Sequence, residues 1–165
     1  MFNKEKFKEV LHYIIALCGP KDNVGKTVLY KLMYFSDFDY YELYEEPLTG
    51  ETYMKLERGP APSHFDQAIK ELELEGKIEH KDTVFFGKTQ YKYHSLEKPD
   101  SHLLSEKEIA VMDNVINKCS HMTARRISSY SHKDLPYMAT EDNEKIDYEL
   151  VFYRDPEFSV RAEDD

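Results

Sequence analysis

The stretch "CGPKDNVGKT", residues 18 to 27, ends in Gly25-Lys26-Thr27, the signature close of a loop that cradles nucleotide phosphates. The full pattern needs its first glycine at position 20, which is Pro20; Gly19 lies one residue too far away. Such a loop wraps phosphate with consecutive backbone N–H groups, and proline has none. A phosphate loop also follows a buried strand. Here the preceding "FKEVLHYIIALC" places Phe7, Val10, Leu11, Ile14, Ile15 and Cys18 at helical spacing. No later apolar strand ends in an acid placed to hold magnesium. The segment therefore reads as a helix–helix connection.

Other chemistry-bearing residues are scattered. The seven histidines (His12, His64, His80, His94, His102, His121 and His132) include no i, i+4 pair and no His-Glu-x-x-His. His64 and Asp66 are close, but no nucleophile accompanies them. Cys18 and Cys119 lack any zinc or redox spacing and read as buried core thiols. Gly-x-Ser-x-Gly is absent. These readings predict no metal, no cofactor and no enzyme activity. A hydrolase with a dispersed site stays open as an alternative, and it would need a pocket of strongly perturbed titratable groups.

The chain that positions these residues has 165 of them, enough for one ordinary domain with its own core, and 41% are hydrophobic. No apolar run approaches the ~20 residues that span a bilayer, and "MFNKEKFKEV" lacks a signal-peptide core. A cytoplasmic protein is expected. Net charge is -10, and residues 141–165 hold ten acids against three bases. That balance argues against nucleic acid, whose phosphates demand a basic face, and suits a basic protein partner. The expected organisation is one domain over 1–150 followed by an acidic tail over 151–165.

Periodicity predicts a mostly helical α+β fold, with about five to six helices and a small antiparallel hairpin. The first helix runs from about Asn3 to Cys18. The second starts near Val24 to Thr27 and reaches Tyr44. Its "VLYKLMYFSDFDYYELY" is apolar almost all round, which marks a buried central helix. Asp39 is expected at solvent. Asp37 lies beside Leu29, Met33 and Tyr40 on the wheel and needs a partner if buried. Thr49-Gly50 reads as a turn, "TYMKLE" as a strand, and Gly59-Pro60-Ala61-Pro62 as a rigid entry to a third helix capped by Ser63. A hairpin follows, with Gly87-Lys88 as its two-residue turn and Val84 and Phe86 facing Tyr91 and Tyr93. Helix then hairpin is a partly winged-helix-like layout. Ser105 and Glu108 form a capping box, Thr123 caps the next helix, and Pro136 breaks into a loop. Arg125-Arg126 on that last helix keep a helix-turn-helix in view, against the wrong overall charge.

Thirteen tyrosines stand out. Tyr41, Tyr44 and Tyr53 are candidate interface residues, since tyrosine offers large contact area with few torsions. Tyr34 reads as core.

The stretch "KLMYFSDFDYYELYEEPLTGETYMKLERGPAP" resembles the SocA-like antitoxin family, also called the Panacea domain. The resemblance is carried by Lys31-Leu32-Met33-Tyr34-Phe35, Asp37, Thr49-Gly50, Tyr53 and Gly59-Pro60-Ala61-Pro62. Further on, "LSEKEIAVMDNVINKCSHMTARRISSYSH" is similar to the family's second half, and the likeness spans roughly residues 5 to 140. It implies an antitoxin of a bacterial or phage type II toxin–antitoxin pair, which neutralises a cognate toxin by direct contact. A protease adaptor that delivers the toxin for degradation, or a DNA-binding autoregulator using the winged layout, are the alternatives. On this reading Tyr41, Tyr44, Thr49, Tyr53 and Arg58, with acids of the C-terminal segment, contact the partner. Leu32, Tyr34, Phe35, Asp37, Gly50, Gly59, Pro60 and Pro62 hold the fold, Asp37 by fixing the loop around Thr49 or Arg58.

Overall fold

The computed structural model describes residues 1–161. Helix α1 spans Lys4–Cys18, and the Asn3 side chain caps it by accepting from the Lys6 N–H. Its periodic apolar residues Phe7, Val10, Leu11, Ile14, Ile15 and Cys18 are all fully buried. Helix α2 spans Lys26–Tyr44. It is the axle of the fold, packed by α1, by the helices over residues 106–119 and 124–131, by the strand over residues 59–62 and by the C-terminal 3₁₀ helix over residues 148–153. Among the described residues no helix is long and apolar enough to cross a membrane.

Strand β1 (Tyr53–Leu56) pairs antiparallel with β2 (Gly59–Pro62) in the register Tyr53↔Pro62 to Leu56↔Gly59. The Gly-Pro-Ala-Pro segment, expected as a helix entry, is thus an edge strand, where a missing proline N–H leaves no ladder bond unmade. The other edge of β1 is covered by residues 143–146, with Lys55 N–H donating to Glu144 O and Ile146 N–H to Tyr53 O. Helix α3 spans Phe65–Leu74. Ser63 does not cap it: the N-cap is His64, with no side-chain bond, and Ser63 N–H donates to Thr52 O.

Strands β3 (Ile78–Phe85) and β4 (Lys88–Ser95) form the hairpin. Its turn is Phe86-Gly87, one residue earlier than expected. Both residues are left-handed, at φ 51° and 76°, as a type I′ turn requires. The register moves accordingly, to Val84↔Thr89, Asp82↔Tyr91 and His80↔Tyr93. Helix α4 (Glu106–Cys119) carries the complete Ser105–Glu108 capping box, and α5 (Ala124–Ser131) is capped by Thr123. Pro136 opens a short helix α6 (Leu135–Met138) instead of a loop, because proline suits a first helical turn. The "YELVFY" segment is a 3₁₀ helix, Tyr148–Tyr153. The mostly helical α+β class expected from the pattern is observed, with two separate two-stranded sheets.

Two departures matter for function. First, the C-terminal segment is not a tail. Val151, the Arg154 side chain and Phe158 are all buried in the same body as α2. Acid-rich composition hid this because one arginine and two apolar residues carry the packing. The last four residues of the expected tail, 162–165, lie outside the described residues. Second, residues 18–27 are the seat of the hairpin. The Lys92 ammonium donates to the carbonyl oxygens of Lys21 and Val24, and Gln90 Nε2 donates to Asp22 O at 3.0 Å. Gly19 and Gly25 are where β4 comes closest. A Cβ on Gly19 would press into the Tyr93 carbonyl oxygen, and one on Gly25 would lie 2.7 Å from Gln90 Cγ.

Gly19 has φ -51°, which any residue adopts, so Gly19→Ala separates close approach from backbone freedom. Ordinarily such a change stabilises slightly through the unfolded chain. Here the clash predicts a lower melting temperature, read by thermal denaturation; an unchanged or higher value contradicts the seat.

Candidate partner-binding surface

The surface is organised by two buried polar centres on α2. In the first, the Asp37 carboxylate, fully buried, accepts from Thr49 N–H at 2.8 Å, from Thr49 Oγ1 at 2.8 Å and from the Tyr53 hydroxyl. Burial pushes its pKa up to about 6, and the hydrogen bonds from Tyr53 and Thr49 offset part of that rise. These bonds pin the loop after α2 to the helix. Gly50 sits in that loop at φ 77° with Met1 and Phe2 packed on it. Glu51, also fully buried, accepts from His64 N–H and pairs with the His64 ring at 2.5 Å. Arg58 takes no part in this centre.

The second centre is larger. The Arg154 guanidinium, with no exposed side-chain surface, forms a bidentate pair with Asp134 at 2.8 and 2.9 Å. Its remaining Nη1 reaches Asp39 at 2.8 Å and Glu42 at 3.0 Å. Tyr34 donates to the same Asp134 at 2.8 Å. Asp39, expected at solvent, is therefore buried; its partners lie too far along the chain for periodicity to find. Three carboxylates share one arginine, so their environments diverge. Burial outweighs Arg154 at Asp39, whose pKa rises to about 6. At Glu42 burial also pushes upward, but donors from Ser159, the Val160 N–H and Arg154 win, and its pKa falls below the usual carboxylate range. Arg161 adds a further contact to Glu42 at 3.2 Å. Residues 154–161 are thereby strapped around the C-terminal half of α2.

The strap divides the surface in two. On one side lies an aromatic and acidic face. Tyr41, half-buried, packs against Tyr148 and Phe152, with ring centroids 5.3 and 5.9 Å apart, and donates to Glu149. Tyr153 beside them is 71% exposed, and Asp147, Glu149 and Asp155 are exposed around it. On the other side lies a groove of about 330 Å³ between α2 and α4, lined by Leu43, Tyr44, Lys107, Ala110, Val111 and Val160, with Asp39 and Asn114 as polar groups. The Lys107 ammonium lies 4.4 Å from the Tyr44 ring centroid.

Of the residues expected to contact a partner, the structure leaves Tyr41, Tyr44 and Arg58 accessible. Tyr53 and Thr49 are instead buried, Tyr53 because its ring packs on Tyr34 and Phe38 while its hydroxyl serves Asp37. Arg58 sits in the β1–β2 turn, near Lys31 on the first half of α2. Lys31 and Tyr44 are thirteen residues apart on one helix, about 20 Å at the helical rise, so Arg58 and Tyr44 do not form one patch. Leu32, Tyr34 and Phe35 are core, and Pro60 and Pro62 are buried in β2. Phe152, Tyr153 and the groove wall Val160 were missed, because the C-terminal segment read as a tail. The adjacent aromatics Phe152-Tyr153 within an acidic run were the available signal.

Other chemistry is limited. Lys26 of the apparent phosphate motif is paired with Asp66 at 2.8 Å. Glu9, Asp100 and His102 each bring a ligand atom within 4.8 Å of the others, the one such group among the described residues that a metal ion would fit. The connection between β4 and α4 folds Asp100 and His102 onto α1, which no sequence spacing shows. His102 is already bonded to Asp100, and Glu9 accepts from the Leu103 N–H. Lys31 is 2% exposed and donates to Pro60 O at 3.2 Å, beneath Gly59 (φ 117°) and the buried Ser131. A side chain on Gly59 would meet Lys31 Cε at 2.6 Å, so that glycine makes room for the lysine.

The family model described as antitoxin SocA-like, Panacea domain matches residues 29–136. No curated protein and no solved structure matches the chain. The match runs from α2 through α6 and takes in Lys31, Asp37, the Thr49-Gly50 turn, Gly59 and Asp134. The chain belongs to this family.

Desolvation, with a smaller contribution from Arg58, lowers the Lys31 pKa to about 7. Between pH 7 and the ordinary lysine value the unfolded chain holds a proton that the folded chain lacks. Stability therefore rises with pH across that window. The variant Lys31→Met is predicted to be the more stable at pH 7 and to lose this part of the rise. Denaturant titrations of both proteins at pH 7 and pH 9.5 check it, and parallel curves contradict it.

Proposed function

We propose, with membership of the family as the premise, that the chain is an antitoxin that neutralises a cognate toxin protein by binding it directly, as the protein antidote of a type II pair. The observation that carries the proposal is the antitoxin family match across residues 29–136. The geometry supports it by offering a rigid aromatic and acidic face.

On that face Tyr41, Phe152 and Tyr153 supply large contact area at low entropic cost, and Asp147, Glu149 and Asp155 surround them. A chain of net charge -10 steers toward a basic partner surface. The toxin is thus a protein with a basic patch around an apolar depression. The face is held from beneath by the Arg154 centre, so it reaches the partner already ordered, and little entropy is lost on docking.

Co-expression with the neighbouring open reading frame tests the proposal through growth rescue and co-purification. Tyr153→Ala changes an exposed side chain, so its melting temperature is predicted to stay within a degree or two of wild type, a shift typical of surface substitutions. Its complex with the toxin is predicted to weaken by at least about tenfold, as for a central aromatic anchor. Rescue and affinity equal to wild type in Tyr153→Ala remove this face from the contact. A wild-type chain that lowers toxin abundance without a stable complex favours delivery to a protease instead.

A further inference from the structure

Three carboxylates share Arg154, and they are not served alike. Asp134 takes the bidentate pair and a further bond from the Tyr34 hydroxyl. Glu42 accepts from Ser159, from the Val160 N–H, from Arg154 and from Arg161. Asp39 accepts a single bond, at 2.8 Å, through Oδ1, from the same Nη1 that also serves Glu42. Its Oδ2 has no hydrogen-bond partner among the described residues. Asp39 is only 5% exposed, and a carboxylate that deep ordinarily has its charge fully met. Burial accordingly outweighs the arginine at Asp39, while at Glu42 the donors win.

Asp39 Oδ2 is not sealed in. Among the described residues the one enclosed side-chain atom without a partner is His132 Nε2. Asp39 opens onto the groove of about 330 Å³ between α2 and α4, which it lines together with Leu43, Tyr44, Val111, Asn114 and Val160. Apolar walls leading to a carboxylate oxygen suit a long side chain with an apolar stem and a cationic head. Two lysines of the chain lie near, and among the described residues neither pairs with Asp39. Lys107 on the rim is held 4.4 Å from the Tyr44 ring centroid and 3.9 Å from Glu46, which offsets its charge. Lys118 acts on Asp39 through space and forms no ion pair. Arginine fits better than lysine, because its head is more weakly hydrated and its planar fork offers donors to Asp39 and Asn114 together.

The geometry points to this groove as a receptor for an arginine side chain of a partner protein, its guanidinium on Asp39 and its stem along Leu43, Val111 and Val160. A protein is the fitting source. Leu43 and Tyr44 are 38% and 40% exposed at the mouth, so residues flanking the arginine gain apolar contact there. The net charge of -10 also draws basic partners. The groove lies across the strap from the Tyr41–Tyr153 face, so this receptor stands or falls apart from the docking proposed for that face.

Chemical-shift mapping of the full, isotope-labelled chain tests it, with N-acetyl-arginine methylamide as the probe. The citrulline counterpart, similar in shape and uncharged, is the control. The arginine probe is predicted to move the Leu43, Tyr44, Val111 and Val160 amide signals and the Asp39 carboxyl carbon saturably, and the control to bind at least about tenfold more weakly. Asp39→Asn removes the charge and is predicted to weaken the probe by a similar factor. Ala110→Arg carries the test should Asp39→Asn also loosen the Arg154 centre. It places a fixed cation on the exposed α4 wall of the groove in a good helix former, so an unchanged melting temperature and at least about tenfold weaker probe binding are expected. A wild-type groove that does not respond saturably overturns the inference. So does an equal response to the uncharged control, or a response that Ala110→Arg leaves unchanged.

Discussion

One buried arginine holds this molecule in shape. Arg154 ties the central helix, through Asp39 and Glu42, to the end of α5 and α6, through Asp134, and to the chain's own C-terminal strap. An ion pair taken out of water gives little net stability compared with apolar packing. Its consequence is specificity of arrangement. Three carboxylates at fixed points on α2 and at residue 134 accept one planar fork in one orientation, and Tyr34 completes the set. With the fork in place, residues 154–161 have one path across α2. Their path separates the aromatic face from the groove.

The same logic governs the rest of α2. Asp37 orders the loop after the helix, and Lys31, nearly without partners, is enclosed by the β1–β2 turn. A helix buried all round would ordinarily be apolar. Here it carries Lys31, Ser36, Asp37, Asp39 and Glu42 inward: Lys31 meets the β1–β2 turn, Ser36 its own backbone and Asp37 the Thr49 loop, while Asp39 and Glu42 share the Arg154 strap. The family match begins on this helix, which fits its place as the common support for the segments around it.

Much of this was legible in the sequence, and the boundary is physical. Local rules succeeded: the 3.6-residue spacing of Phe7 to Cys18, the capping box at Ser105, the buried character of α2 and the need of Asp37 for a partner. Non-local pairings were out of reach. Asp39 looked solvent-facing because its partner lies 115 residues away, and residues 151–161 looked like a tail because Arg154 reads as just another charge in an acidic run. Tyr53 was placed at the surface by residue type, while its strand alternation turned it inward. The glycines of "CGPKDNVGKT" were legible as structural, but their reason, the approach of Tyr93 and Gln90, required the hairpin's position.

The central claim is that Arg154 makes the C-terminal segment part of the folded body. Equilibrium denaturation of full-length Arg154→Ala at neutral pH tests it most directly. Removing the fork leaves Asp39 and Asp134 buried without their counter-charge and Glu42 with Arg161 alone, so the account predicts a loss of about 3–5 kcal/mol relative to wild type. A loss below about 1 kcal/mol, the range of an exposed pair, would contradict it.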